Sequence, residues 1–385
     1  MNKEKRALIG FSTGHFFLDL YAAILIPLYP FIAQRLDINI ATISLVIAIG
    51  HSISSILQPV FGFISDKLHK RFFMFWGLIF SSVFIPLGYI APNAVILTLC
   101  LMLGMIGNAF YHPQVTKIIK DFYQTRQGLS KAIGIFLGLG TIGYAIGPYF
   151  STYVIQIFGE KNYVYIGLIG ILTAFFILFF VPKIEKTEVV SNNNFLDAIK
   201  EILKNKACIF LILITVIKSA LVMSFGTYIP FLLKGYDFSI IQIGFILTLF
   251  YIAGGISMII SSAIEKHAGL YGMIALSYVP LLPLVLLLLY FLKYNKMIAL
   301  ILIILTGFFV LLVAGVVLAQ AQRLISGNTG TISGIIQGFT LALGALLLIP
   351  FGLIAQKYGV ASVLIIITLT AFIFGLCALR YNKNS

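Results

Sequence analysis

The sequence predicts an all-α polytopic membrane protein with twelve transmembrane helices, arranged as two pseudo-symmetric six-helix bundles. Of its 385 residues, 60% are hydrophobic and only 10% are charged, whereas an average soluble domain carries about 25% charged residues. Apolar runs follow one another along the whole chain, and about twenty apolar residues suffice for one helical crossing of a bilayer. This composition excludes a soluble enzyme, a DNA-binding protein and a receptor with a single membrane anchor.

Long apolar runs define the individual helices, because a continuous run of spanning length indicates a transmembrane helix. The first run follows a short basic stretch and has full spanning length, so we interpret it as a span and not as a cleaved signal peptide. The predicted spans are 7–33, 40–64, 72–91, 94–116, 130–157, 163–181, 207–233, 239–263, 271–292, 297–319, 329–354 and 360–380.

The chain has a net charge of +14, and its basic residues are distributed unevenly between the two predicted sides of the membrane. An even number of spans places both termini on one side of the membrane. Of the 26 Lys and Arg residues, nineteen lie on that side and six on the other, while Lys218 lies inside a span. The positive-inside rule therefore predicts a multi-pass protein of the plasma membrane with both termini in the cytoplasm. Because topology accounts for the basic residues, we expect no nucleic-acid partner.

One long polar connection, residues 183–206, separates the sixth span from the seventh. Its apolar residues share one helical face, which indicates a short amphipathic helix on the cytoplasmic membrane surface; these residues are Phe195, Ile199, Ile202 and Leu203. The connection divides the chain into a predicted N-terminal bundle (1–182), a cytoplasmic linker (183–206) and a C-terminal bundle (207–385).

Three short matches at a nearly constant offset indicate that the second half is a copy of the first. Residues 132–138 match residues 332–338 at an offset of 200, and Asp66-Lys67 match Glu265-Lys266 at an offset of 199. At the same offset of 199, Asp19 falls on Lys218. Six-span halves related by an axis along the membrane normal form a transporter architecture, with the substrate site between the halves.

Two motifs resemble signatures of the major facilitator superfamily. Residues 62–71 are similar to its G-x3-D-[RK]-x-G-[RK]-[RK] loop after the second span, and residues 261–266 are similar to a degenerate copy. The resemblance implies the major facilitator fold. It also implies that Asp66 ties this loop to a neighbouring helix end in one conformation. The implied gating and conformational residues are Gly62, Asp66, Lys67, Lys70, Arg71, Glu265 and Lys266.

The fifth span resembles the antiporter signature of the same superfamily. Its glycines let another helix approach closely, and its proline can kink the helix because it lacks a backbone donor. We expect this face to let the two halves rock without unpacking bulky side chains. The residues of this motif are Gly134, Gly138, Gly143, Gly147 and Pro148.

Three shorter motifs are similar to the fosmidomycin-resistance branch of the superfamily. They are His15-x3-Asp19 in the first span, Phe110-Tyr111-His112-Pro113 in the fourth and Lys218-Ser219 in the seventh. This resemblance implies export of a small organic solute such as a phosphonate drug, and therefore a role in drug resistance.

Two charged residues lie deep inside predicted spans, acidic Asp19 and basic Lys218. A charged side chain at mid-bilayer costs about 2.5–3.5 kcal/mol on insertion scales, and such residues usually face a partner or a cavity. Both residues lie at similar depth. We therefore expect either a structural ion pair between the halves or a proton and substrate site at the midplane.

His15 precedes Asp19 by one helical turn, so the two share a face. The pair suits a proton site, because histidine changes its charge between about pH 5 and 8. It also suits a transition-metal site completed by His51 or His112, or a histidine that only bonds a neighbouring helix. Asn108 lies one turn before His112, and these two residues and His51 join the predicted proton and substrate site.

These observations predict a secondary active transporter that exports a small organic solute, such as a drug or an anionic compound, in exchange for protons. The sequence has no G-x4-G-K-[ST] loop for ATP, so we expect an ion or solute gradient as the energy source. We expect no catalytic residue, cofactor or bound metal. The expected partners are the lipid bilayer, the solute and protons, with the protein acting as a monomer. Two alternatives stay open: a transition-metal ion transporter using the intramembrane His and Asp, and a membrane enzyme or scaffold without transport.

Overall fold

The computed structural model describes residues 3–67, 72–123, 126–182, 200, 202, 204–324 and 335–382. Every regular element within these ranges is helical, as the composition predicts. The α-helices are α1 (Lys3–Ala23), α2 (Tyr29–Arg35), α3 (Ile40–Lys67), α4 (Phe72–Tyr89), α5 (Ala94–Phe122), α6 (Arg126–Phe158), α7 (Gly167–Phe180), α8 (Lys206–Gly235), α9 (Ile240–Tyr278), α10 (Leu281–Tyr294), α11 (Lys296–Leu311), α12 (Ala314–Leu324), α13 (Thr340–Leu346), α14 (Leu348–Tyr358) and α15 (Val360–Asn382). Short 3-10 helices at Ile26–Leu28 and Glu160–Ile166 and a π-helix at Ile335–Phe339 join them.

The described helices account for all twelve predicted spans. Ten stretches of helix within the described ranges are long and apolar enough to cross a membrane. One of them, Ile240–Tyr294, has 55 residues and covers the eighth and ninth predicted spans. A shorter apolar helix, Phe73–Tyr89, covers the third.

Side-chain caps determine where several of these helices begin. Asn93 accepts a hydrogen bond from the Ile96 amide at the start of α5, and Asn205 and Asn295 cap α8 and α11 in the same way. Ser239 forms a capping box at the start of α9. Each cap satisfies backbone donors that have no partner in the first helical turn.

One helix is interrupted at a glycine. Gly269, inside α9, has a φ of 64° and a ψ of 178°, a conformation that suits glycine because it has no Cβ. This break lies between the eighth and ninth predicted spans, so it turns one long helical segment into two.

The backbone repeats itself at an offset of 200 residues. Asp37 and Asp237 have φ values of 50° and 58°, and Gly159 and Gly359 have φ values of 78° and 85°. Because left-handed backbone is uncommon in residues other than glycine, its recurrence at matched aspartates supports the predicted duplication. The pattern of buried and exposed residues from 21 to 33 also recurs from 221 to 233.

This register corrects one sequence prediction. At an offset of 200, Asp19 corresponds to Ser219 and Lys218 corresponds to Leu18. The predicted match of Asp19 with Lys218 is wrong by one residue, because an offset read from the Asp66 and Glu265 loops does not apply to these helices.

The described residues form two compact units, which we call the first unit (Met1–Leu28 and Ile49–Asn192) and the second unit (Tyr29–Ala48 and Asn193–Ser385). In the first unit, α1 packs against α6 and α7, and α4 packs against α5 and α7. In the second unit, α9 packs against α11 and α15, and α8 packs against α13. The division into bundles 1–182 and 207–385 stays a prediction. Most of the predicted linker helix, up to residue 199, lies outside the described residues.

Candidate functional site

His15 lies on α1 and is held by α6. Its side chain is only 3% exposed, and its Nδ1 lies 2.7 Å from the backbone oxygen of Phe136. Because a carbonyl oxygen only accepts, Nδ1 must carry the hydrogen and donate it. The Phe136 ring stacks on the imidazole at a centroid distance of 4.1 Å and an angle of 21°. The orientation of His15 is therefore set by a different helix from its own.

Asp19 lies one turn further along α1 and faces two histidines. Its Oδ2 is 3.1 Å from Nε2 of His15, and its Oδ1 is 3.6 Å from Nε2 of His112 on α5. The Asp19 side chain is 18% exposed and that of His112 is 29% exposed, so the carboxylate lies at the edge of a buried region. The structure therefore brings together three of the predicted site residues.

His112 has a second partner on its own helix. Its Nε2 lies 3.1 Å from Oδ1 of Asn108, and since this oxygen accepts, Nε2 carries a hydrogen. The neighbouring Tyr111 is fully buried and donates to the Phe11 carbonyl at 2.7 Å, which joins α5 to α1. The predicted i, i+4 pair of Asn108 and His112 is thus a direct contact that lies beside Asp19.

His15, Asp19 and His112 also lie close enough together to bind one metal ion, as the alternative of a transition-metal transporter requires. One ligand atom from each of His15, Asp19 and His112 lies within 4.8 Å of the others, and this is the metal-type group found among the described residues. His51, the other histidine that the sequence offered for such a site, is buried on α3 and does not belong to the group.

The glycines of the predicted antiporter motif have different surroundings. A Cβ at Gly143 would lie 2.0 Å from the Phe16 oxygen, and one at Gly147 would lie 2.8 Å from the Leu20 oxygen, so both allow α6 to approach the backbone of α1. Pro148 lies inside α6, which continues to Phe158.

Gly134 and Gly138 differ from the prediction. A Cβ at either position would meet nothing within 4 Å, because both residues lie on another face of α6. Sequence reasoning missed Gly140, where a Cβ would lie 2.3–2.6 Å from three atoms of the His15 ring. The signal was present, since Gly140 shares a helical face with Gly143 and Gly147 at i, i+3 and i+7.

The predicted gating residues are described only in part. Gly62, Asp66 and Lys67 belong to α3, but the side chains of Asp66 and Lys67, like all of Lys70 and Arg71, lie outside the described residues. In the second half, Glu265 accepts a hydrogen bond from Gln320 of α12 at 2.7 Å, and Lys266 is exposed. The copy of the loop carboxylate thus contacts a neighbouring helix.

Lys218 lies half-buried on α8 in the second unit. Among the described residues of its own unit, no carboxylate lies within 4.0 Å of its ammonium nitrogen. The predicted pairing of Lys218 with Asp19 of the first unit stays a prediction.

A duplicated bundle of twelve spans with titratable side chains buried inside it is the architecture of a secondary transporter. The family model of the Major Facilitator Superfamily matches residues 11–348, and the chain belongs to this superfamily. The resemblance predicted from the sequence motifs is therefore confirmed, and the protein is a membrane-embedded transporter and not an enzyme.

Individual relatives show the same class. The chain is 23% identical to the fosmidomycin resistance protein of Escherichia coli over 91% of this chain and 87% of that protein. It is 28% identical to the probable nitrate transporter NarT of Staphylococcus epidermidis over 65% of this chain and 62% of that protein. The crystal structure of the nucleoside transporter NupG matches with a TM-score of 0.76 at 14% identity, over 99% of both chains. This match establishes the major facilitator fold.

Proposed function

We propose that this protein is a proton-coupled exporter of the plasma membrane, with both termini in the cytoplasm, which moves a small organic or anionic solute by alternating access. Membership in the superfamily supports transport. The observation that carries the proton coupling is the cluster of His15, Asp19 and His112, in which the one deep carboxylate of the chain lies against two imidazoles.

The cluster can hold one exchangeable proton in a defined place. Nδ1 of His15 already donates to the Phe136 oxygen, so a further proton on His15 can reside only on Nε2, which lies 3.1 Å from Asp19 Oδ2. With this proton the pair is neutral, and without it the pair carries one negative charge. A ligand or conformation that distinguishes these two states is coupled to the proton.

His112 supplies the response to that charge. His112 Nε2 donates its hydrogen to Asn108 Oδ1, which lies 3.1 Å away. The same nitrogen lies 3.6 Å from Asp19 Oδ1. When the pair loses its proton, the charged carboxylate attracts this hydrogen more strongly, because hydrogen bonds to ionised groups are about twice as strong as neutral ones.

The chemistry of the relatives supports an anionic solute. The names of two of them refer to resistance to fosmidomycin, a phosphonate drug, and to nitrate transport. Lys218, a basic residue within a predicted span, supplies a positive charge without an acidic partner among the described residues of its own unit. We propose that this lysine is the counter-ion of the solute.

The metal alternative fits the protonation of the cluster less well. A metal ligand must present a lone pair, so a coordinating histidine nitrogen is deprotonated. Nε2 of His112, the nitrogen nearest Asp19, carries a hydrogen that Asn108 accepts. Coordination there would require another tautomer of His112, whereas proton exchange between His15 and Asp19 leaves the His112 tautomer unchanged.

The test compares two aspartates that undergo the same chemical change. Purified wild-type, Asp19→Asn and Asp37→Asn proteins are reconstituted in liposomes, and accumulation of fosmidomycin and of nitrate is measured under an imposed pH gradient. Asp37 is exposed between two helices, and asparagine tolerates its left-handed backbone. We expect Asp19→Asn to lose accumulation and retain counterflow exchange, and Asp37→Asn to match the wild type.

Two outcomes would contradict the proposal. Accumulation against a gradient by Asp19→Asn would show that the coupled proton is held elsewhere. Submicromolar zinc binding by the wild type that is lost in both His15→Ala and Asp19→Ala would favour the metal transporter instead.

A further inference from the structure

We propose that helix α6 positions the proton site, with the Phe136 carbonyl and Gly140 confining proton exchange by His15 to its Nε2 atom. This inference rests on the proposed function, because it concerns the proton that Asp19 and His15 share. It assigns Gly140 and Phe136 as positioning residues, roles that the antiporter-like glycine pattern does not indicate.

The first step is the fixed Nδ1 hydrogen. The Phe136 oxygen lies 2.7 Å from Nδ1, a short and buried hydrogen bond whose loss would leave a buried donor without a partner. A buried donor without a partner is unfavourable, so the ring is held in one of its two flipped orientations. Nδ1 therefore keeps its hydrogen whether or not Nε2 is protonated.

The second step is the close approach of α6. The Phe136 ring covers one face of the imidazole at 4.1 Å, while the backbone at Gly140 approaches so closely that a methyl group would lie 2.3 Å from Cε1 and 2.5 Å from Nε2. Non-bonded heavy atoms do not approach a Cβ this closely, so any side chain at residue 140 would displace the ring. Glycine is therefore required for the 3.1 Å approach of Nε2 to Asp19.

The third step concerns the groups that face the ring. Among the residues that the structure describes, the titratable side chains around His15 are Asp19 on its own helix, and His112 and Tyr111 on α5, with ring centroids at 4.7 Å and 6.5 Å. Tyr111 donates to Phe11, and His112 donates to Asn108. With these hydrogens engaged, Asp19 is the group positioned to exchange a proton with His15.

The chain offers a matched pair of glycines for the test. Gly140→Ala and Gly138→Ala add the same methyl group to the same helix two residues apart, and at Gly138 the methyl would meet nothing within 4 Å. Phe136→Leu removes the stacked ring and keeps the carbonyl. Monodispersity and the thermal unfolding midpoint show whether each purified variant is folded.

The primary measurement is nitrogen NMR of protein labelled on its five histidines, with the His15 signals identified by their absence from His15→Gln protein. In the wild type and in Gly138→Ala we expect Nδ1 to stay protonated at every pH, so that only Nε2 titrates. Gly140→Ala should give both tautomers. It should also lower accumulation of fosmidomycin driven by a pH gradient, by up to about a hundredfold, because a misplacement of about 1 Å can cost a factor of about 10² in rate.

The outcomes separate this inference from the proposed function. A wild-type Nδ1 that loses its proton while Nε2 keeps one, or equal effects of Gly138→Ala and Gly140→Ala, would overturn the positioning role. If Gly140→Ala does not fold, the titration of the wild type and of Phe136→Leu tests the inference instead. Loss of the Nδ1 proton in Phe136→Leu would show that the stacked Phe136 ring orients His15, and it would overturn the role of the carbonyl. If Nδ1 of His15 stays protonated at every pH but Asp19→Asn still accumulates substrate under a pH gradient, the proposed proton site is wrong. The inference that α6 positions the His15 ring would still stand.

Discussion

Lys218 shows how a single buried charge constrains function at the scale of one residue. The offset of 200 residues that applies to these helices makes Ser219, and not Lys218, the counterpart of Asp19. Adjacent residues leave a helix about 100° apart, so Lys218 and Asp19 are not symmetry equivalents. The repeat therefore gives no support for a pairing of these two charges, and the proposal that Lys218 is the counter-ion of the solute does not depend on such a pairing.

This interpretation predicts a loss of anion binding in Lys218→Ala. Truncating one partner of a buried charge pair costs about 2 kcal/mol or more, so we expect the Kd for nitrate and for fosmidomycin to rise roughly thirtyfold. Lys218→Arg should keep part of the affinity, because it keeps the charge, and exposed Lys266→Ala should bind as the wild type does. The measurement is calorimetric titration of the purified proteins. Normal binding by Lys218→Ala together with a lower melting temperature would make the lysine structural.

At the scale of one element, α2 depends on its neighbours. It has seven residues and follows a 3-10 helix that contains Pro27, and so short a helix is not stable alone. Lys234 of α8, within the same unit, donates to the Pro30 oxygen at 3.0 Å and to the Gln34 side chain, and its ammonium lies 4.6 Å above the Phe31 ring. One side chain thus contacts three residues of α2.

We therefore predict that Lys234→Met loosens α2 selectively. The amides of residues 31–35 should exchange hydrogen for deuterium several-fold faster, because local opening costs less when a tertiary contact is lost. Lys357→Met is the control, since that lysine contacts the ring of its neighbour Tyr358 at 5.1 Å. Hydrogen exchange read by mass spectrometry, on protein in lipid nanodiscs, provides the comparison. Unchanged exchange in α2, or equal changes in both variants, would show that other contacts hold this helix.

At the scale of the whole molecule, the duplicated helices and the distribution of basic residues predict one topology. Lys161 and Lys266 are both exposed and lie on opposite predicted sides of the membrane. In a Cys377→Ser background, which removes the exposed native thiol, Lys161→Cys should react with a membrane-impermeant maleimide in intact cells. Lys266→Cys should react only after the cells are permeabilised. The reverse pattern would place the termini outside the cytoplasm.

The sequence by itself determined the architecture. A bilayer fixes the length of a spanning helix and leaves no alternative to helices or closed barrels, so the number of apolar runs predicted twelve spans. Described helices cover all or part of each of them. Pairs within one helix were also predictable. The spacing of His15 with Asp19 and of Asn108 with His112 implied contacts that the structure places at 3.1 Å in both cases.

Only the tertiary structure decided which helices meet and with which faces. It placed His112 and not His51 beside Asp19, and it placed Gly140, and neither Gly134 nor Gly138, against His15. Spacing along a sequence says which residues share a helical face, but it does not say which face meets another helix, and a shift of one residue turns a side chain by about 100°. Apolar residues lie on nearly every face of these helices, so the hydrophobic pattern does not specify how each helix is rotated about its axis. Close backbone packing and buried hydrogen bonds specify that rotation.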